Sequence, residues 1–238
     1  MNDEQTSARH KRIKVAIDGP AGAGKSTLAK RVADKLNYLY IDTGAMYRAA
    51  TWVALEQRAD LNDHDRVIEL VRHASIELKP ADESSQGRVR VIVNGADVSF
   101  IVRSRIITKF VSAVSAIAGV RALLVQKQQE LAKEGGVVMD GRDIGTVVLA
   151  DAELKIFLTA SAEVRAERRL KDMREMGQMQ DLQTIIADIK ERDHLDSTRA
   201  TSPMRQADDA ILIDTDNYSL DQVTDKVLEL CASRITAQ

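Results

Sequence analysis

The chain is poor in cysteine, histidine and aromatic rings, and each shortage removes a class of function. Cys231 is its single cysteine in 238 residues, so no intrachain disulfide can form and a reducing cytoplasm is the expected setting. Cys231 falls in an amphipathic last stretch, where core packing suits it better than reactivity. His10, His64, His73 and His194 are scattered, with no His/Cys spacing of a zinc site. Aromatic residues make up 3% of the chain, too few for the stacking platforms that bind single-stranded nucleic acid. No apolar run is long enough to span a bilayer. Met1 to Arg12 is polar, lacks the apolar core of a signal peptide and is expected to be a flexible tail. The formal net charge is −2, which does not mark a nucleic-acid binder. Any phosphate chemistry must therefore gather its arginines in one cleft.

The most informative stretch is Gly19-Pro20-Ala21-Gly22-Ala23-Gly24-Lys25-Ser26, which fits the phosphate-binding loop G-x-x-x-x-G-K-[ST]. The β-branched run Ile13–Ile17 before it reads as a buried strand. After it, Thr27 to Leu36 reads as a helix with Leu28, Val32 and Leu36 on one face. Glycines let successive N–H groups curl around one anion, and the helix N-terminus adds partial positive charge. Lys25 is placed to reach the β- and γ-phosphates of a nucleotide, and the Ser26 hydroxyl to ligate Mg²⁺.

Five apolar runs end on a polar residue: Ile13–Ile17 before Asp18, Leu39–Ile41 before Asp42, Val137–Met139 before Asp140, Leu154–Leu158 before Thr159, and Ala210–Ile213 before Asp214. Such runs separated by helical stretches predict a parallel sheet with helices on both faces and a ligand beyond the strands' carboxyl ends. Two segments exceed that minimum. Ala74 to Ser99 reads as an antiparallel insert, with strands at Ser75–Leu78, Arg88–Val93 and Ala96–Val98 and the hairpin signal Asn94-Gly95. Arg103 to Lys133 should then be helical, broken near Gly119. Ser161 to Ser202 is helical, interrupted at Gly177, and rich in arginine: Arg165, Arg168, Arg169, Arg174, Arg192 and Arg199. It is either a pair of solvated helices with ordinary ion pairs or a mobile lid that carries arginines over phosphates. Ser219 and Gln222 form a capping box for the last helix.

A guanine-reading Asn-Lys-x-Asp motif is absent, and a nucleic-acid motor would be longer and more basic, which leaves a small-molecule kinase. Asp42-Thr43-Gly44-Ala45-Met46-Tyr47-Arg48 follows the second strand, Asp140-Gly141-Arg142-Asp143 the third, and Lys190-Glu191-Arg192-Asp193 precedes Asp196 and Arg199. Asp140 ends an apolar run, as in a Walker B strand, where it orients Mg²⁺ through water or simply caps the strand. Met46, Tyr47 and Trp52 are expected to be packing residues. Arg142 and Asp143 could equally be a structural ion pair, and Asp196 with Arg199 a surface salt bridge.

With these motifs together, the chain resembles the bacterial cytidylate kinases, a family of nucleoside monophosphate kinases, over nearly its whole length. IDGPAGAGKST, DTGAMYR, the antiparallel insert, DGRDIGTVV, LKIFLTAS and IKERD carry the resemblance. It implies a three-layer α/β P-loop kinase fold with a five-stranded parallel sheet ordered 2-3-1-4-5. It implies transfer of phosphate from ATP to CMP or dCMP with Mg²⁺, by a cytoplasmic monomer that uses no nucleic acid or membrane partner. Gly19, Pro20, Ala21, Gly22, Ala23, Gly24, Lys25, Ser26 and Thr27 would hold ATP, helped by Arg165 and Arg169, with Ser26 at the metal. Thr43, Arg48, Ser112, Arg121, Arg142, Asp143, Arg192, Asp196 and Arg199 would hold CMP, and Lys25, Arg142, Arg192 and Arg199 would be catalytic. Ser115 competes with Ser112 for the base. Ala21 and Thr43 stand where many members have serine, so no side-chain hydrogen bond transfers to Ala21. The implied division is a tail at 1–12 and one kinase domain at 13–238. Its core would be 13–41, 134–160 and 203–238, its monophosphate-binding region 42–133 and its lid 161–202. Another nucleoside monophosphate or small molecule as acceptor, or a non-catalytic nucleotide sensor, remain the alternatives.

Overall fold

The computed structural model describes residues 12–85, 87–175 and 179–236, so most of the expected tail and Gly177 lie outside the described residues. Chain order is β1 (Lys14–Asp18), α1 (Lys25–Leu36), β2 (Leu39–Asp42), α2 (Thr43–Glu56), α3 (His64–His73), β3 (Ile76–Lys79), β4 (Arg90–Val93) and β5 (Ala96–Asp97). Then come α4 (Arg105–Ala116), α5 (Ala118–Leu131), β6 (Val137–Gly141), β7 (Leu154–Thr159), α6 (Ala162–Glu175), α7 (Leu182–Thr198), β8 (Ile211–Asp214) and α8 (Leu220–Thr236).

The central sheet runs β2-β6-β1-β7-β8, all parallel. Counted among its own five strands, that order is 2-3-1-4-5. Period-2 alternation assigns its faces. Ala16, Ile41, Val137 and Met139 join a core built with α2, α4 and α5. Val15, Ile17, Val138, Leu154, Ile156 and Leu158 point the other way, into a core with Leu28 and Val32 of α1 and Val223, Val227 and Cys231 of α8. Three layers follow directly from that alternation. The last helix starts as its sequence requires: the Gln222 N–H donates to Ser219 Oγ at 3.2 Å, and the Ser219 N–H to Gln222 Oε1 at 2.9 Å.

The insert is a three-stranded antiparallel sheet, β3-β4-β5. The helical stretch after it bends by 94° between α4 and α5. The break falls at Ile117, whose backbone is extended, near Gly119 as the sequence suggested. Gly119 serves packing, since a Cβ there would lie 2.4 Å from Ile68 Cδ1 of α3. Helices α6 and α7 pack on each other through a small core of their own, Ala166, Met173, Ile185 and Ile189. Among the described residues no single helix is long and apolar enough to cross a membrane.

Register brings the strand-ending polar residues to one rim. Asp18 of β1 lies beside Gly141 of β6, Asp42 beside Asp140, and Thr159 beside Asp214.

Candidate active site

The phosphate loop leaves β1 at Gly19, whose φ of 141° and missing Cβ are both required. A Cβ there would sit 1.9 Å from the Leu158 carbonyl oxygen. The loop ends at Gly24, and Lys25 and Ser26 open α1. Lys25 folds back over the loop and donates from Nζ to the Pro20 carbonyl at 2.7 Å. Burial, and then repulsion from Arg142, pull the Lys25 ammonium down to about 7, against the attraction of Asp140 and Asp18. A triphosphate supplies the opposing charge that would restore its proton. ATP binding at pH 8 is therefore expected to take up a proton. Calorimetry in buffers of different ionisation enthalpy checks this, and a binding enthalpy independent of buffer would show that Lys25 is already charged.

Ser26 and Asp140 form the second part. Ser26 Oγ donates to Asp140 Oδ2 at 2.9 Å, and the Tyr40 hydroxyl to Oδ1 at 2.8 Å. Thr43 Oγ1 donates to the Asp140 carbonyl at 2.7 Å. Burial, reinforced by Asp42, pushes the Asp140 carboxyl up to about 6. An open serine hydroxyl beside a buried carboxylate is an all-oxygen donor set, which fits Mg²⁺. Among the described residues no cluster of three or more His, Cys, Asp or Glu could hold a metal alone.

Arg165 lies against the phosphate loop. It is 5% exposed, and its guanidinium binds the Ala21 carbonyl at 3.0 Å, the Ala160 carbonyl at 2.9 Å and Asp193 at 2.7 Å. Its Nε and Nη1 brace the phosphate loop from α6. Ala21 thus takes part through its carbonyl, as a methyl side chain allows. Arg168, which the sequence placed with the lid arginines, is likewise engaged by Thr215.

Across the rim the other arginines converge. Arg48 of α2 donates to Thr108 Oγ1 at 2.8 Å. Arg142, just past β6, pairs through Nε with Asp196 of α7 at 2.9 Å. Arg192 has a buried Nε without a hydrogen-bond partner among the described residues. Burial, then the charges of Arg142 and Arg48, hold Arg192 down to about 9. Burial also lowers Arg48 to about 10, with Arg142 and Arg169 adding repulsion against the pull of Asp42. Guanidinium groups that push on one another across a rim form an anion site, and phosphate oxygens would relieve the repulsion.

Asp143 sits beside that group, 3% exposed. One oxygen pairs with Arg121 Nη2, the other with Arg199 Nη2 at 3.3 Å. Arg121 also donates to the Ser115 carbonyl at 3.2 Å and lies 5.2 Å from the Tyr47 ring centre. The Ser115 hydroxyl turns into its own helix and donates to the Ser112 carbonyl at 3.0 Å. Asp196 is 5% exposed and pairs with Arg142, while Arg199 pairs with Asp143, so the Asp196–Arg199 surface bridge the sequence allowed is replaced by two buried pairs. Met46 is core, as expected. Tyr47 packs too, but its hydroxyl is buried without a partner among the described residues, and burial pushes it up to about 12.

Sequence reasoning missed Tyr40 and the partners of Asp18 and Asp193. The signal for Asp18 was its place directly before Gly19 and that for Asp193 its place in Lys190-Glu191-Arg192-Asp193; Tyr40 carried none.

Strand, phosphate loop and helix, with the Ser26–Asp140 pair and arginines facing Lys25, define a P-loop kinase. The cytidylate kinase family model matches residues 15–233, and the chain belongs to that family of nucleoside monophosphate kinases. The cytidylate kinase of Geobacillus sp. (strain WCH70) is 52% identical over 223 residues, covering 94% of this chain and 98% of that protein. That of Desulforamulus reducens is 53% identical over 214 residues, covering 90% and 94%. The crystal structure of an uncharacterized protein from Eubacterium ventriosum ATCC 27560 shares the fold, with a TM-score of 0.51 at 15% identity over 94% of this chain and 99% of that one.

Proposed function

We propose that the cleft transfers the γ-phosphoryl group of ATP to the phosphate of CMP or dCMP, giving ADP and CDP or dCDP. The observation that carries this is Asp143, buried between Arg121 and Arg199 beside an arginine group that faces the phosphate loop. Phosphoryl transfer needs alignment and charge neutralisation more than a strong base. An acceptor phosphate oxygen bonds to the γ-phosphorus as its bond to the β–γ bridging oxygen breaks, and ADP leaves with that electron pair. Lys25 stabilises charge on the bridge. Arg48, Arg142, Arg192 and Arg199 offset the repulsion between the two anions. Gly19 to Thr27 cradle the donor. Ser26 would hold Mg²⁺, with Asp140 through water, and the ion would neutralise β- and γ-oxygens.

Asp143 accepts from the cytosine amino group, whereas uracil would turn a carbonyl toward the carboxylate. Ser112 is the better candidate for the base, because the Ser115 hydroxyl is already engaged in its helix. Thr43 acts through Asp140, and Arg169 stands with the cleft arginines. A coupled ADP-release assay with Mg-ATP and a panel of monophosphates tests the proposal. CMP and dCMP should be the best acceptors and UMP clearly poorer; a preference for AMP, GMP or dTMP would overturn it. The same proposal has the enzyme act as a cytoplasmic monomer.

Residues 161–202 act as a lid in this scheme, over a core at 13–41, 134–160 and 203–238 and a monophosphate-binding region at 42–133. Support comes from the separate small core of α6 and α7 and from the ion pairs that tie α7 to the rim. Closure would exclude water and limit ATP hydrolysis. A bisubstrate analogue joining adenosine and cytidine through phosphates should slow hydrogen exchange across residues 165–199, more than ATP alone does. Equal exchange with and without the analogue would leave these helices as a solvated face.

A further inference from the structure

Asp18 has no part in the chemistry above, yet it is 4% exposed and lies at the centre of the rim. It ends β1 directly before the phosphate loop. Its Oδ1 accepts the Ile144 N–H and its Oδ2 the Gly145 N–H, both at 2.7 Å. These are consecutive amides at the start of the wide helical turn Ile144–Val148. The opening N–H groups of such a turn have no acceptor within it. The residue that would ordinarily supply one is Asp143, at the cap position, because aspartate there bonds back to the first amides. Asp143 makes no such bond. Its two oxygens are committed to Arg121 and Arg199.

We infer that Asp18 caps the 144–148 turn in place of Asp143, which leaves the Asp143 carboxylate held by Arg121 and Arg199 in the place where it reads the acceptor base and makes Asp18 a positioning residue for acceptor specificity. This rests on the proposal that Asp143 faces cytosine. It links the two halves of the site physically. One carboxylate, a single residue from Gly19, fixes the backbone that carries Arg142 and Asp143. The phosphate loop and the base-reading residue thereby keep one spacing. Without Asp18, the bare amides of Ile144 and Gly145 have a ready acceptor in Asp143, and its carboxylate is drawn back from the base.

The test is Asp18→Asn, which keeps the size but sets an NH₂ against one of the two amides. The readout is kcat/KM for CMP relative to UMP, with kcat and KM resolved for each. Asp18 also acts on the charge of Lys25, but Lys25 serves both acceptors, so that effect cancels in the ratio. The expected result is a CMP-to-UMP ratio reduced roughly tenfold or more, mostly through KM for CMP. An unchanged ratio, with both acceptors slowed equally or not at all, overturns the inference.

If D18N does not fold, Gly145→Ala decides. Its Cβ would press on the flexible Lys155 stem at 3.2 Å and approach Asp18 Oδ2 at 3.4 Å, loosening the contact without removing a charge. A lowered ratio supports the inference and an unchanged one ends it. Asp143→Asn separates the two levels. If D143N keeps the wild-type ratio, Asp143 does not read the base and the functional proposal fails on that point. If D143N loses discrimination while D18N and G145A keep it, only the role of Asp18 is lost.

Discussion

Lys25→Ala should lower kcat by a factor of roughly 10² to 10³, about 3–4 kcal/mol of transition-state stabilisation, while KM for CMP moves far less. The asymmetry follows from where charge appears. Negative charge gathers on the β–γ bridge as the bond breaks, so an ammonium there gains more in the transition state than in the ground state. The site magnifies the effect: Lys25 is 5% exposed, and a buried charge is weakly screened. It donates to the Pro20 carbonyl at 2.7 Å, a neutral acceptor that a phosphate easily outcompetes. Steady-state rates with Mg-ATP and CMP, together with nucleotide affinity by equilibrium binding, check the split. Turnover within a few-fold of wild type would remove Lys25 from the chemistry.

What was legible in the sequence was mostly local. The phosphate loop is one strand, one turn and one helix, so its glycines and Lys25 are readable from spacing alone. The capping box of Ser219 and Gln222 spans three residues and is equally plain. The strand-ending aspartates showed that a rim exists but not what each one holds. Asp18 reaches amides 126 and 127 positions away, and no local pattern encodes that pairing. Tyr40 reads as one more β-former. Only the alignment of β2 with β6 turns its hydroxyl onto Asp140, 100 positions on. Arg165 shows the opposite case. Its charge was visible, but its neutralisation by Asp193 and the Ala21 carbonyl depends on how α6 and α7 pack. Gly119 marked the neighbourhood of the helix break, but its packing against Ile68 of α3 has no local signature.

Asp143→Ala should destabilise the fold and erase acceptor selectivity together. The carboxylate holds two guanidinium groups, and the side chains of Arg121 and Arg199 are only 3% and 6% exposed. Removing one partner of a buried ion pair leaves an uncompensated charge and typically costs about 3–5 kcal/mol. Here two cations lose their anion. Arg121 has no second carboxylate to turn to among its described contacts: what remains to it is the Ser115 carbonyl and the face of Tyr47, both neutral. Its Nε already lacks a partner among the described residues. A loss of that size in a chain of this length should lower the melting temperature by roughly 10 °C, measurable by calorimetry in the absence of nucleotide. CMP supplies phosphate oxygens to the neighbouring arginines but no carboxylate to Arg121, so saturating CMP should restore only part of the loss. In the acceptor panel, kcat/KM for CMP should fall much further than that for UMP, because only cytosine loses a partner for its amino group. A variant as stable as the wild type, with the CMP preference intact, would mean that Asp143 neither anchors Arg121 energetically nor faces the base.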